Sequence, residues 1–193
     1  MEKNELERLF EARLQGNEWY QKALEIVKKN SAGRIWLIGG ALSRELASIL
    51  HGGTVNEYDF DFVVENANDK VVLPKDWRIV TNKFGNPKFI HGELSIDFVP
   101  LKNVRSILQR KLQPTIENLL SGTPFNAQAI AYDTKAGKII GDIGLKAIYE
   151  KRFGINNLEQ ARYLAGLKKM PLRELLVIKA KSMGFTPLLN GLE

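Results

Sequence analysis

Two hydrophobic rhythms organise the first half of the chain. Leu6, Phe10 and Leu14 recur at helical spacing, with Leu9 beside them, until Gly16-Asn17 breaks the run. Trp19, Ala23, Leu24, Ile26 and Val27 mark a second helix that stops near Asn30-Ser31, and its apolar face is expected to cover a sheet. Residues 34–38, rich in Ile, Trp and Leu, then read as a strand. A Gly39-Gly40 turn leads into a helix over 41–50, with Leu42, Leu46 and Ile49 on one face and His51-Gly52-Gly53 as its end.

Strands are predicted at 58–64 and 77–81, and a hairpin at 88–91 and 94–99 around Gly92-Glu93. Residues 104–112 and 115–120 read as helices separated by Pro114. A second hairpin is expected at 128–132 and 138–140, about Lys135-Ala136-Gly137. Helices follow at 143–152, 158–169 and 172–182, the last two divided by Pro171. This order predicts an α+β fold, a mixed or antiparallel central sheet flanked by helices. Residues 1–153 form the expected main domain with its N-terminal helices, and 154–193 a short helical appendage.

Composition narrows the classes. Apolar residues make up 44% of the 193 and charged residues 26%, as in ordinary globular proteins. No apolar run reaches the roughly 18 residues of a membrane span, and the charged Met1-Glu2-Lys3-Asn4-Glu5 start is unlike a signal segment. The absence of cysteine excludes disulfides and thiolate metal sites, which fits the cytoplasm. A net charge of +6 suits either simple solubility or attraction to a polyanion.

The chemistry concentrates in Asp59-Phe60-Asp61. On a strand, residues two apart share a face, so both carboxylates point one way and Phe60 and Phe62 the other. Asp97 repeats the pattern among apolar Leu94, Ile96 and Phe98. Clustered carboxylates repel and raise one another's pKa unless a cation intervenes. One reading is an all-oxygen site suited to Mg²⁺ or Mn²⁺. The other is a solvated strand edge or a set of salt bridges to lysine. Glycines 39 and 40 permit close approach of a ligand, and the helix start beyond them attracts phosphate. Ser43 and Arg44 in its first turn add a hydroxyl and a cation.

Taken together, Ile38-Gly39-Gly40-Ala41-Leu42, Asp59-Phe60-Asp61-Phe62 and Ile96-Asp97-Phe98 resemble the nucleotidyltransferase superfamily of DNA polymerase beta. Phe125-Asn126-Ala127-Gln128-Ala129-Ile130-Ala131-Tyr132-Asp133 and Lys138-Ile139-Ile140-Gly141-Asp142 are similar, more narrowly, to the head domain of bacterial poly(A) polymerases and CCA-adding enzymes. The resemblance spans roughly residues 33–153. It implies metal-dependent transfer of a nucleoside monophosphate from an NTP to an acceptor hydroxyl, most simply on RNA, with a protein or small-molecule acceptor, or a silent nucleotide- or RNA-binding module, as alternatives. Asp59 and Asp61 would hold the ion that carries the triphosphate, and with Asp97 a second ion. Asp97 would also take the hydroxyl proton. Gly39, Gly40 and Ser43 would grip phosphates, with Arg44 and Gln128 also at the nucleotide. The sequence departs from the family at Ser43-Arg44, where those enzymes carry Arg-Asp, at Gly122 and Thr123, where they carry two arginines, and at Gln128, where they carry asparagine. Arg105, Arg110 and Lys111 are candidates to replace that charge.

Of the remaining candidates, His51 and His91 read as loop or strand-end residues, with His91 also able to border the cleft. Trp36 is expected in the core, and Tyr132 either there or at the nucleotide. Arg152 and Arg162 are expected on solvated helix faces.

Overall fold

The computed structural model describes residues 1–189 and 191. Helices α1 (Lys3–Gln15) and α2 (Glu18–Lys29) open the chain. Asn17 separates them and caps the second, its Oδ1 accepting from the Tyr20 N–H at 3.0 Å. Strand β1 (Ser31–Ile38), helix α3 (Gly39–His51), strands β2 (Asp59–Ala67), β3 (Arg78–Thr81), β4 (Pro87–His91) and β5 (Leu94–Pro100) follow. Beyond them lie α4 (Arg105–Gln109), α5 (Ile116–Leu120), β6 (Ala131–Asp133), β7 (Lys138–Ile140), α6 (Asp142–Tyr149), β8 (Arg152–Phe153), α7 (Leu158–Lys168), α8 (Leu172–Ser182) and β9 (Thr186–Pro187).

Seven strands form one mixed sheet in the order β3-β4-β5-β2-β1-β6-β7. Its neighbours are antiparallel except β2 and β5, which run side by side in the same direction. With helices packed on the sheet this is the α+β arrangement of a mixed sheet flanked by helices. The alternation in β2 and β5 sends Phe60, Phe62, Ile96 and Phe98 to one face, where they are buried with Phe10, Tyr20, Leu42 and Leu46 from α1 to α3. The Tyr20 ring lies 5.8 Å from Phe60 and 6.0 Å from Phe62. Covering side chains of this size is worth roughly 1.5–3 kcal/mol each. The opposite face is covered at one end only, by a smaller cluster of Trp36, Val63, Leu101, Ile107 and Leu119. The polar row of β2 and β5 therefore lies beside an apolar plug and stays reachable.

Several expectations shift at their ends. The predicted strand at 128–132 begins only at Ala131, because Asn126–Gln128 forms a 3-10 turn. The Asn126 side chain fixes that turn by accepting from the Gly154 N–H at 2.8 Å. The helix expected over 143–152 ends at Tyr149, and Arg152 is an exposed strand residue instead. The parallel pair of β8 and β9 has no sequence signal at two residues each. Residues 154–189 lie against the main body. Ala161, Leu175 and Leu176 belong to the principal core, and the Arg105 guanidinium stacks 3.3 Å from the Tyr163 ring centre. Residues 190, 192 and 193 of the expected appendage lie outside the described residues. Among the described residues, no helix is long and apolar enough to cross a membrane.

Candidate active site

Register assembles the site. Across adjacent strands Ile38 pairs with Asp61, Asp61 with Asp97, and Asp97 with Lys88. Directly opposed side chains on one sheet face stand about 4.5–5.5 Å apart at Cβ. Asp59 lies two residues before Asp61 on the same face, paired with Ser95. The three carboxylates thus occupy one face, opposite the aromatic core, with the Gly39-Gly40 turn beside Asp61.

Lys88, absent from the sequence-based candidates, joins the outer two. Its Nζ donates to Asp59 Oδ1 at 2.9 Å and to Asp97 Oδ2 at 3.1 Å. Asp97 also accepts from Asn82 Nδ2 at 2.7 Å, and Asp59 from the Ser95 hydroxyl. Burial alone would lower the Lys88 pKa, but the bonds to Asp59 and Asp97 outweigh it and raise it. Among the described residues, Asp61 has no such partner. Burial first, then the Asp97 and Asp59 charges, push its pKa up to about 7. Both readings of the acidic pair are therefore realised in part: lysine bridges two of the acids, and the third remains short of positive charge. Among the described residues, no three acidic or histidine side chains are gathered closely enough to hold a metal ion.

Around this row stand more cations. Burial and then Lys168 lower the pKa of Lys83, which also feels Asp97 and Asp61. Burial and then Lys168, Lys83 and Arg44 lower that of Lys179, partly offset by Asp61. Helices α7 and α8 thus bring positive charge towards the carboxylates. Arg44 is held by both carboxylate oxygens of Glu57, its Nη2 at 2.8 Å from Oε2. A cavity of about 460 Å³ opens next to this pair, between α3, the loop 52–57 and residues 182–185, within the size range of small-ligand sites.

The glycine turn is dictated by its neighbours. Gly39 has φ +79°, and a β-carbon there would run into Asp61 Oδ2. One on Gly40 would meet the Arg44 guanidinium. Ser43 does not present its hydroxyl to this surface. It is fully buried, and Oγ lies 2.9 Å from the Gly39 carbonyl and 2.8 Å from the Ala127 carbonyl. It ties the turn to the 126–128 segment, where Gln128 is half-buried. The arginine candidates are likewise engaged. Arg110 donates from Nε to the Ser106 carbonyl at 2.9 Å and from Nη1 to the Ser121 hydroxyl at 3.0 Å. A β-carbon on Gly122 would collide with Ser106 and Arg110. Arg105, stacked on Tyr163, also bonds Gln160 at 3.1 Å. Lys111 is exposed.

His91 does not border the cleft. Alternation puts it on the face opposite Lys88, where it stacks on Trp77 at 5.3 Å and pairs with Asp76 at 2.5 Å. His51 Nε2 lies 2.8 Å from the Ile148 carbonyl. Tyr132 packs edge-on against Phe10 at 4.9 Å, and Trp36 is fully buried, both in the core. Arg162 is exposed, as its helix face implies.

No protein-family model matches this chain, and no curated protein matches it in sequence. Solved structures do match in fold. A CCA-adding enzyme in complex with CTP aligns with a TM-score of 0.52 and 19% identity over 80% of this chain and 36% of that one. The Thermotoga maritima CCA-adding enzyme complexed with tRNA(CCA) aligns with a TM-score of 0.50 and 18% identity, over 80% and 35% respectively. The chain thus spans about a third of the length of either enzyme.

Proposed function

We propose that this protein transfers a nucleoside monophosphate from an NTP to an acceptor hydroxyl, with RNA as the acceptor. The reading is carried by one observation: Asp59, Asp61 and Asp97 share a sheet face directly beside a glycine turn that opens a helix. The backbone amides at that helix start suit the terminal phosphates. Arg44 adds a cation at the rim of the adjoining cavity, which offers room for the nucleoside, and Lys83, Lys168 and Lys179 offset triphosphate charge through space. Ser43 acts from below by fixing the turn.

The acceptor oxygen bonds to the α-phosphorus, the bridging P–O bond to the β-phosphate breaks, and pyrophosphate leaves with the electron pair. Asp97 takes the hydroxyl proton. Asp61, half-buried between two like charges, fits a divalent cation, with Asp59 and Asp97 as its neighbours. Magnesium or manganese bound there would neutralise developing charge and acidify the attacking hydroxyl. The protein's own part is mainly positioning and fixed electrostatics.

The test is transfer of label from each α-labelled NTP to total RNA with Mg²⁺. Asp61→Asn, checked for folding by circular dichroism, should lower transfer at least about a hundredfold, the scale of losing one preorganised electrostatic group. Label appearing on protein or a small molecule would replace the acceptor class. Nucleotide binding without pyrophosphate release from the wild type would overturn catalysis itself.

A further inference from the structure

The excess positive charge of the chain lies wholly in its second half. Residues 98–193 hold 15 Lys and Arg against 7 Asp and Glu, a net +8, whereas residues 1–97 hold 13 against 15, a net −2. The segment 98–116 carries Lys102, Arg105, Arg110 and Lys111 and no acid at all. Folding does not supply the missing counter-charges. Among the described residues none of these four enters an ion pair, whereas Arg13, Arg34, Arg44 and Lys138 each meet a carboxylate. Arg105 bonds instead to the side-chain oxygens of Gln109 at 2.7 Å and Gln160 at 3.1 Å. Arg110 bonds to the Ser106 and Asn118 carbonyls and the Ser121 hydroxyl. Lys102 and Lys111 are exposed.

This segment lies over the sheet face that carries the carboxylates. Leu101 and Ile107 pack there with Trp36 and Val63, and Val63 is two residues beyond Asp61 on the same face. Helix α4 also abuts α7, through Arg105 on Tyr163 and Gln160. Exposed cations continue along α7 with Arg162 and Lys168, and with Lys169 just past its end. Glu159 is the single acid of that helix, and Gln109 donates to it. Lys168 acts through space on Lys83 and Lys179, which in turn feel Asp61. From Gln160 to Lys168 a helix spans about 12 Å. A band of positive charge thus runs from α4 along α7 to the carboxylate row.

We propose that the surface from Lys102 to Lys111, with the adjoining α7, holds the phosphate backbone of the RNA acceptor and leads its end to the carboxylates. The inference rests on the reading of RNA as the acceptor. A polyanion supplies the negative charge that this band lacks. Guanidinium groups whose partners are neutral keep their full charge for phosphate. Leu108, 60% exposed, and Leu112, 38% exposed, lie among the cations and offer apolar contact to sugars and bases. Contacts to phosphate position a strand without reading its sequence.

The experiment measures binding of a labelled single-stranded RNA of mixed sequence by fluorescence anisotropy, without NTP, over a series of KCl concentrations. Lys102→Glu combined with Lys111→Glu should weaken binding at least about tenfold and flatten the slope of log K against log salt by roughly 1.4, two phosphate contacts at about 0.7 each. Arg8→Glu combined with Lys28→Glu makes the same change of net charge on α1 and α2, and should weaken binding less than about threefold, with the slope kept. Lys102→Gln with Lys111→Gln should flatten the slope as the reversed pair does, and serves if that pair fails to fold. Equal losses in the reversed pair and its charge-matched control, or an unchanged slope, would overturn this surface and leave transfer to RNA standing. Polyglutamate displacing the label as well as unlabelled RNA does would overturn it in favour of an acidic protein. No binding of RNA by the wild type would remove this surface and the RNA acceptor together, while transfer to another acceptor, read separately by label, would survive.

Discussion

Gly39 and Asp61 constrain each other. The glycine holds φ +79°, and the carboxylate fills the space where a side chain would begin. Gly39→Ala should therefore cost roughly 1–2 kcal/mol for the backbone conformation alone, and displace Asp61 as well, visible as a lower urea midpoint and weaker Mn²⁺ binding. Asp61 also predicts a pH dependence. Its folded pKa of about 7 lies above the ordinary aspartate value of 3.8, so between those values the folded protein binds more protons than the unfolded chain. Its stabilising contribution is present below the lower value and lost as pH rises through 7. Thermal melts without metal should show the stability advantage of Asp61→Asn over wild type largest at pH 8, smaller at pH 5 and closed only below about pH 4, with Mg²⁺ narrowing it at pH 8. The alternating pattern around Asp59, Asp61 and Asp97 made their common face legible in the sequence. Lys88 was legible too, because counting back from the Gly92-Glu93 turn sets it opposite Asp97. The Arg44–Glu57 pair was not, since it depends on the path of an irregular loop.

Elements with strong periodicity are where the sequence says most. The helices α1 to α3, the β4–β5 hairpin and α8 lie close to their expected bounds because burial of one face decides them. The 126–128 turn and the β8–β9 pair escape such reasoning, being set by side-chain bonds and by distant chain rather than by a repeating face. The seating of α1 has a similar origin. Buried Glu7 accepts from the Ile139 N–H at 3.0 Å and from Lys138 Nζ at 2.8 Å, joining the first helix to the edge strand β7. Glu7→Ala should cost about 1–3 kcal/mol by leaving a buried N–H without a partner. Lys138→Ala removes the exposed end of the pair and leaves Glu7 its bond from the Ile139 N–H, so it should cost less than Glu7→Ala. Urea denaturation of the two variants measures the asymmetry.

For the molecule as a whole, the net charge of +6 is not evenly placed. Lys168 and Lys179 approach the carboxylate row from the C-terminal helices and Lys83 from the β3–β4 loop, so distant stretches of chain converge on one electrostatic surface. Lys179→Met should raise the KM for NTP several-fold with little change in kcat, and the effect should shrink as salt screens the charge, as steady-state kinetics at two ionic strengths would measure. This convergence depends on tertiary packing and leaves no local signature in composition. The crowding at Gly122 has a different kind of reach. Ser106 and Arg110 already occupy the space where a larger residue would have to grow. An arginine at 122 would meet the Ser106 Cβ, which cannot rotate away, as well as the flexible end of Arg110. Arg110 can swing its guanidinium aside at the loss of its ties to Ser106 and Ser121, but Ser106 must give way as well, so what residue 122 can be is set jointly by two side chains of another element.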